Sequence, residues 1–141
     1  MNCYLDASVL VSLFVIDPLS TRAEAFLAAH LEIVIAISDF GAAEFASAVA
    51  RRVRARDLSE REGRVAFANF DSWAAHSAER QRVESADIDA ADRVMRQMHH
   101  PLRTPDAIHV MIAQRIGASL VTFDRQMAAS ARALGAAVAE P

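Results

Sequence analysis

Apolar residues along this chain fall in short blocks parted by polar, glycine- or proline-marked breaks, and the blocks alternate in kind. Residues 2–6 (NCYLD) read as a short buried strand ending on Asp6. Residues 7–16 are an apolar run of helical length, stopped by Asp17-Pro18. Ser20 or Thr21 stands where a cap is wanted for a helix over 21–30. Residues 32–37 (EIVIAI) are β-branched and nearly uninterrupted, the pattern of a buried parallel strand. Ser38 or Asp39 then caps a helix through about Arg56. Ser59 with Glu62 has capping-box spacing and opens a helix to about residue 77. Residues 81–84 (QRVE) are a less apolar strand candidate, and Asp87 and Asp89 favour the start of a helix through about 98. Thr104-Pro105 suits the cap and first turn of a helix over 105–116, closed by Gly117. Residues 119–123 (SLVTF) read as a strand, 126–134 as a short helix before Gly135, and 136–139 as a last strand.

Strands alternating with helices predict a three-layer α/β/α sandwich around a parallel sheet of four to five strands. In such sheets a ligand crevice lies beyond the carboxyl ends of the strands. Asp6 ends the first strand at that edge, and Asp124 follows the SLVTF strand at the same edge.

Bulk properties narrow the class. The 141 residues suit one compact domain over 1–141, and 53% hydrophobic residues argue against disorder. No apolar run is long enough for a membrane span, and the N-terminal block, broken by Asp6, reads as fold and not as a secretion signal. Cys3 is the one cysteine, so no internal disulfide forms, which suits a cytoplasmic protein. The net charge of −3 gives no global sign of nucleic-acid binding. With four carboxylates set aside in one cleft, however, the rest of the chain carries +1. All fifteen basic residues are arginine, whose fork matches phosphate geometry; a coding bias that also favours alanine explains this equally well.

Two further acids stand out. Glu44 lies about two turns into a helix of small and apolar residues, where an acid is costly unless exposed, paired or bound to a cation. Asp106 sits in a first turn where Thr104 can do the capping and free it to point outward. Asp6, Glu44, Asp106 and Asp124 in one pocket would repel, and a hard cation such as Mg²⁺ or Mn²⁺ removes the conflict while leaving positions open for phosphate. Each acid also has a purely structural use. Asp6 and Asp124 can cap helices, Asp106 can answer a helix dipole, and Glu44 can pair with an arginine.

The segments YLDASVLVSLF, SDFGAAEFASAVARR and LRTPDAIHVMIAQRIGASLVTFDRQMAASARALG resemble, in order, the motifs of PIN-domain proteins. They look most like the VapC toxins of VapBC toxin–antitoxin pairs. The resemblance covers nearly the whole chain. It is more specific for the fold than for the toxin role. It implies a Mg²⁺- or Mn²⁺-dependent endoribonuclease acting on RNA, a VapB-like antitoxin partner and a homodimer, with no membrane. Carried over residue by residue, it makes Asp6 and Asp106 the primary metal ligands. Glu44 and Asp124 complete a second position or orient the attacking water. Ser8 and Thr122 are hydroxyls that hold carboxylates in place. A PIN-fold nuclease or RNA-binding module outside such a pair is the alternative. A phosphohydrolase with Asp6 as nucleophile fits less well, because position 8 is serine and lysine is absent. A receiver-like binding module also wants a late lysine.

Other residues divide between packing and function. Arg51 lies seven residues past Glu44, nearly on the same helix face, and is the candidate RNA phosphate contact. Arg52, Arg54 and Arg56 suit the negative helix end. His109 follows Asp106 by three residues and can approach the cleft, although a satisfied packing role is the default for such a histidine. His99 and His100 read as loop surface, Cys3 as core, and Phe67, Phe70, Trp73 and Ala74 as a core stripe, with a dimer or antitoxin groove second.

Overall fold

A computed structural model describes residues 2–141. The element order is β1 (Asn2–Leu5), α1 (Ala7–Phe14), α2 (Ser20–Ala29), β2 (Val34–Ser38), α3 (Asp39–Arg54) and α4 (Glu60–Ser77). It continues through β3 (Glu79–Gln81), α5 (Ser85–Arg96), α6 (Thr104–Arg115), β4 (Ser119–Val121), α7 (Arg125–Ala133) and β5 (Val138–Ala139). The five strands form one parallel sheet in the order β3-β2-β1-β4-β5. The chain winds outward from β1 to β3, then crosses back to lay β4 on the other side of β1. The topological switch, and with it the crevice of a doubly wound sheet, therefore lies between β1 and β4.

Side chains alternate across the sheet, and the two faces carry two separate cores. Cys3, Leu5, Ile37 and Val121 face α1 to α4, where Phe45 and Phe70 are buried, with Phe67, Trp73 and Ala74 packed against them. Tyr4, Ala36 and Leu120 face α5 to α7, where Ile112, Met127 and Ala131 are buried. Helix thus covers the sheet on both faces, the arrangement that near-continuous apolar strands require. No helix among the described residues is long and apolar enough to cross a membrane.

Several boundaries and caps differ from the sequence expectation. Neither Ser20 nor Thr21 caps α2; Leu19 occupies the cap without a side-chain bond. The Ser20 hydroxyl instead accepts from the Asp17 amide at 2.9 Å, closing the turn after α1. β3 is centred two to three residues before QRVE and shares only Gln81 with it. It is an exposed edge whose register comes from backbone pairing with β2, Ala36 opposite Glu79, and not from an apolar pattern. β2 is buried only in its second half, Val34 being 40% exposed. α5 begins before Asp87, whose side chain accepts from the Glu84 amide at 2.9 Å. Asp87 is also buried against α6, taking Arg115 Nε at 2.8 Å and Nη2 at 3.1 Å.

Candidate functional site

β1 runs into α1 through Asp6, whose extended backbone ends the strand and whose side chain caps the helix by accepting from the Val9 amide at 3.2 Å. The carboxylate is buried at 3% exposure. Ser8 Oγ donates to Oδ1 at 2.6 Å, and Thr122 Oγ1 donates to Oδ2 at 2.6 Å. The two hydroxyls are in turn held by the segment leaving β4. Phe123 N donates to Ser8 Oγ at 3.1 Å and Asp124 N to Thr122 Oγ1 at 3.0 Å. The β1 and β4 ends are thereby stitched around one carboxylate at the switch point.

Asp6 has no cationic side chain against it; among the described residues it enters no ion pair. Burial pushes its carboxyl above the ordinary value, opposed by the bonds from Ser8 and Thr122, by His109 and by the Val9 amide. A desolvated anion whose direct hydrogen-bond donors are all neutral is what a cation would relieve. Its oxygens also suit the hard ions that the sequence implies. On that observation Asp6 suits a place beside a divalent metal.

The other predicted acids lie at the same sheet edge or on the helices flanking it, and each already has a bond. Glu44 projects from α3, half-buried, and its Oε1 accepts from His109 Nε2. Asp124 is exposed and caps α7 through the Met127 amide at 2.9 Å. Asp106 bonds back to the Arg103 amide at 3.1 Å. This corrects one sequence expectation: Arg103 is the N-cap of α6, Thr104 is its first residue, and Asp106 is tied to the Arg103 amide and is not released to point outward. Pro105 fits the first turn with the cap at either residue, so it does not choose between them. Among the described residues no group of three or more histidine, cysteine or acidic side chains is arranged to hold a metal.

A cleft of about 400 Å³ opens beside Ser8 and is lined by Glu44, Ser12, Asp17, Arg51 and Arg52. Asp6 lies behind Ser8, and Asp106 and Asp124 lie outside this lining. Arg52 leans toward Asp17 at 3.9 Å. Arg51 lines the cleft and enters no ion pair among the described residues.

His109 and Tyr4 carry more than their sequence positions suggest. His109 is buried at 3% exposure yet bonds to a carboxylate on one side and to Tyr4 Oη, 2.7 Å from its Nδ1, on the other. Tyr4 reads from sequence as strand core, and it is fully buried. Its hydroxyl also lies 2.7 Å from Ser38 Oγ. The available signal was a tyrosine among apolar strand residues, because a buried phenol needs a partner.

Comparison with known proteins gives concordant findings. Residues 3–133 match the PIN domain family. Ribonuclease VapC46 of Mycobacterium tuberculosis is 32% identical, over 98% of this chain and 96% of its own. VapBC2 from Rickettsia felis, solved bound to a DNA fragment from its promoter, superposes with a TM-score of 0.75 at 15% identity, covering 99% and 98% of the two chains. Mycobacterium tuberculosis VapC20, a toxin that cleaves the sarcin-ricin loop, gives 0.74 at 18% identity and 99% of each chain. At those identities the superpositions establish the fold.

Proposed function

This chain belongs to the PIN domain family, and from that premise we propose that it is a Mg²⁺- or Mn²⁺-dependent endoribonuclease, the toxin of a toxin–antitoxin pair silenced by a VapB-like antitoxin. The observation that carries the reading is the buried, cation-free carboxylate of Asp6 at the β1/β4 switch, beside a cleft holding Glu44 and Arg51. The full-length match to a protein named ribonuclease supports the reaction class. The relatives solved as toxin–antitoxin complexes support the partner. In this reading the protein acts in the cytoplasm as a homodimer.

Asp6 and Asp106 would hold the metal first, with Glu44 and Asp124 completing the set. The bound ion supplies Lewis-acid stabilisation of charge developing on the phosphoryl oxygens. The chain's own residues do the rest. Ser8 and Thr122 fix both oxygens of Asp6, so that carboxylate reaches the crevice already oriented. Arg51, on the Glu44 face of α3, takes the RNA phosphate by a charge-assisted fork. Glu44 faces the cleft and can accept the proton of the attacking water. Asp106 and Asp124 each accept a backbone amide with one oxygen, and the other oxygen would be offered to the ion.

The test is incubation of purified protein with total RNA and Mn²⁺ or Mg²⁺, with EDTA and Asp6→Asn as controls. Discrete cleavage lost in both controls is expected. Cleavage that survives in Asp6→Asn overturns the assigned mechanism, and no cleavage by the wild type overturns the activity.

A further inference from the structure

Glu44 sits on α3, over one face of the sheet, and His109 on α6, over the other; they meet above the ends of β1 and β2. Glu44 Oε1 meets His109 Nε2, and the second oxygen, Oε2, has no protein donor among the described residues. His109 lies between two rings, with Tyr4 at 5.7 Å and Phe40 at 5.2 Å between centroids, so its plane is fixed by packing. From its Nδ1 a hydrogen-bonded line runs 2.7 Å to Tyr4 Oη and 2.7 Å on to Ser38 Oγ, which accepts from the Gly41 amide at 2.9 Å.

Only one order of protons gives every member of this line a partner. Glu44 as a carboxylate accepts only, so the proton of that bond is on Nε2. Ser38 already accepts from Gly41, and its own hydroxyl proton finds an acceptor in Tyr4 Oη. Tyr4 must then donate to Nδ1. In the reverse order Tyr4 would donate to Ser38, and the Ser38 proton would have no acceptor among the described residues. Burial, the larger influence, and the charges of Asp6, Glu44 and Asp87 push the Tyr4 phenol well above its ordinary value, so it remains a donor.

We propose that His109 is the positioning residue for Glu44, and that the Ser38–Tyr4 pair selects its Nε2–H tautomer so that one Glu44 oxygen is pinned and the other is presented to the cleft. A glutamate with three free torsions would otherwise spread over many rotamers before binding a cation or a water. A histidine locked by a second hydrogen bond commonly orients a neighbouring ligand in this manner. The inference rests on the nuclease reading for the purpose of Glu44 but not for the line of bonds itself.

Two measurements test it. The first is the tautomer of His109 in ¹⁵N-labelled, metal-free protein, read from long-range ¹H–¹⁵N correlations. Nε2–H with an accepting Nδ1 is expected, and its loss in Tyr4→Phe. Any other proton arrangement in the wild type overturns the proposal, whether or not the protein cuts RNA. The second is Mn²⁺ affinity by titration calorimetry, with kcat and KM on RNA. His109→Leu should weaken Mn²⁺ binding by about tenfold or more and lower kcat with KM little changed. His109→Gln, which keeps an N–H near the Nε2 position, should recover most of both. A merely structural histidine would give Gln and Leu variants alike in Mn²⁺ affinity, and that result overturns the proposal. If His109→Leu does not fold, Tyr4→Phe serves in its place, with wild-type affinity and kcat as the contrary outcome. Failure of wild-type protein to cut RNA would end the nuclease reading while leaving the tautomer result standing.

Discussion

At the scale of single residues, Asp6 is where stability and chemistry pull apart. Its folded carboxyl binds a proton more tightly than the unfolded chain does. Its contribution is therefore fully present below the ordinary carboxylate value and is lost as pH rises through the folded value. Asp6→Asn removes the buried charge while an amide oxygen still accepts from Ser8 and Val9. The amide nitrogen can then donate to Thr122. The metal-free variant should consequently melt above the wild type at pH 7, the gap closing on acidification; thermal melts of both across pH 3 to 8 check this. A melting point below wild type at neutral pH would contradict the desolvation argument. The same residue shows what sequence can and cannot carry. Asp6 and Asp124 are legible because strand ends in a parallel sheet converge on one edge, whereas Ser8 and Thr122 follow only from the PIN-domain resemblance. The bond of Glu44 to His109 is not legible, because it spans 65 positions and depends on two helices meeting from opposite faces. The cap of α6 was misplaced by one residue because Thr104-Pro105 satisfies two local rules, and only the backbone selects between them.

At the scale of elements, the helix starts hold much of the local order. α4 opens on a complete capping box, Ser59 and Glu62 satisfying each other's amides at 3.1 Å and 2.6 Å. This box was readable from spacing alone. Ser59→Ala should cost about 1 kcal/mol in denaturant unfolding. Glu62 is held below its ordinary value by its bonds to Ser59. The stability it adds is present above that ordinary value and fades as pH falls through the depressed one. The α5–α6 contact adds one buried long-range pair to its apolar packing. Arg115 takes both oxygens of Asp87, which is 2% exposed. Arg115→Met leaves that carboxylate buried with only the Glu84 amide, and should cost about 3 kcal/mol in urea unfolding. The edge strand β3 was the least legible element, since an exposed strand paired on one side has no alternation to read.

At the scale of the whole molecule, the parallel sheet with helix on both faces followed directly from the order of the sequence blocks, because β-branched runs between helical ones have few other ways to be covered. The metal reading makes a molecule-wide prediction. Mn²⁺ at 100 times its Kd should stabilise wild-type protein by about 2.7 kcal/mol, roughly an 8 °C rise in Tm for a domain of this size. EDTA should reverse the shift, and Asp6→Asn should show none of it. A Tm indifferent to Mn²⁺ and Mg²⁺ would count against a metal at the switch point.

The pairing of β1 with β4 also governs timing. Cys3 lies opposite Ser119 and Leu5 opposite Val121, so the central strand waits for a neighbour made more than a hundred residues later. Thr122 and the Phe123 amide, which complete the surroundings of Asp6, come later still. Contacts of such sequence separation close late, after the local helices. A chain still emerging from the ribosome therefore carries Asp6 without Thr122 to hold it, and without Asp106 and Asp124. A protein that cuts RNA would be made beside abundant RNA in a form that cannot yet act on it. The order of its strands would then be a safeguard for the cell that makes it.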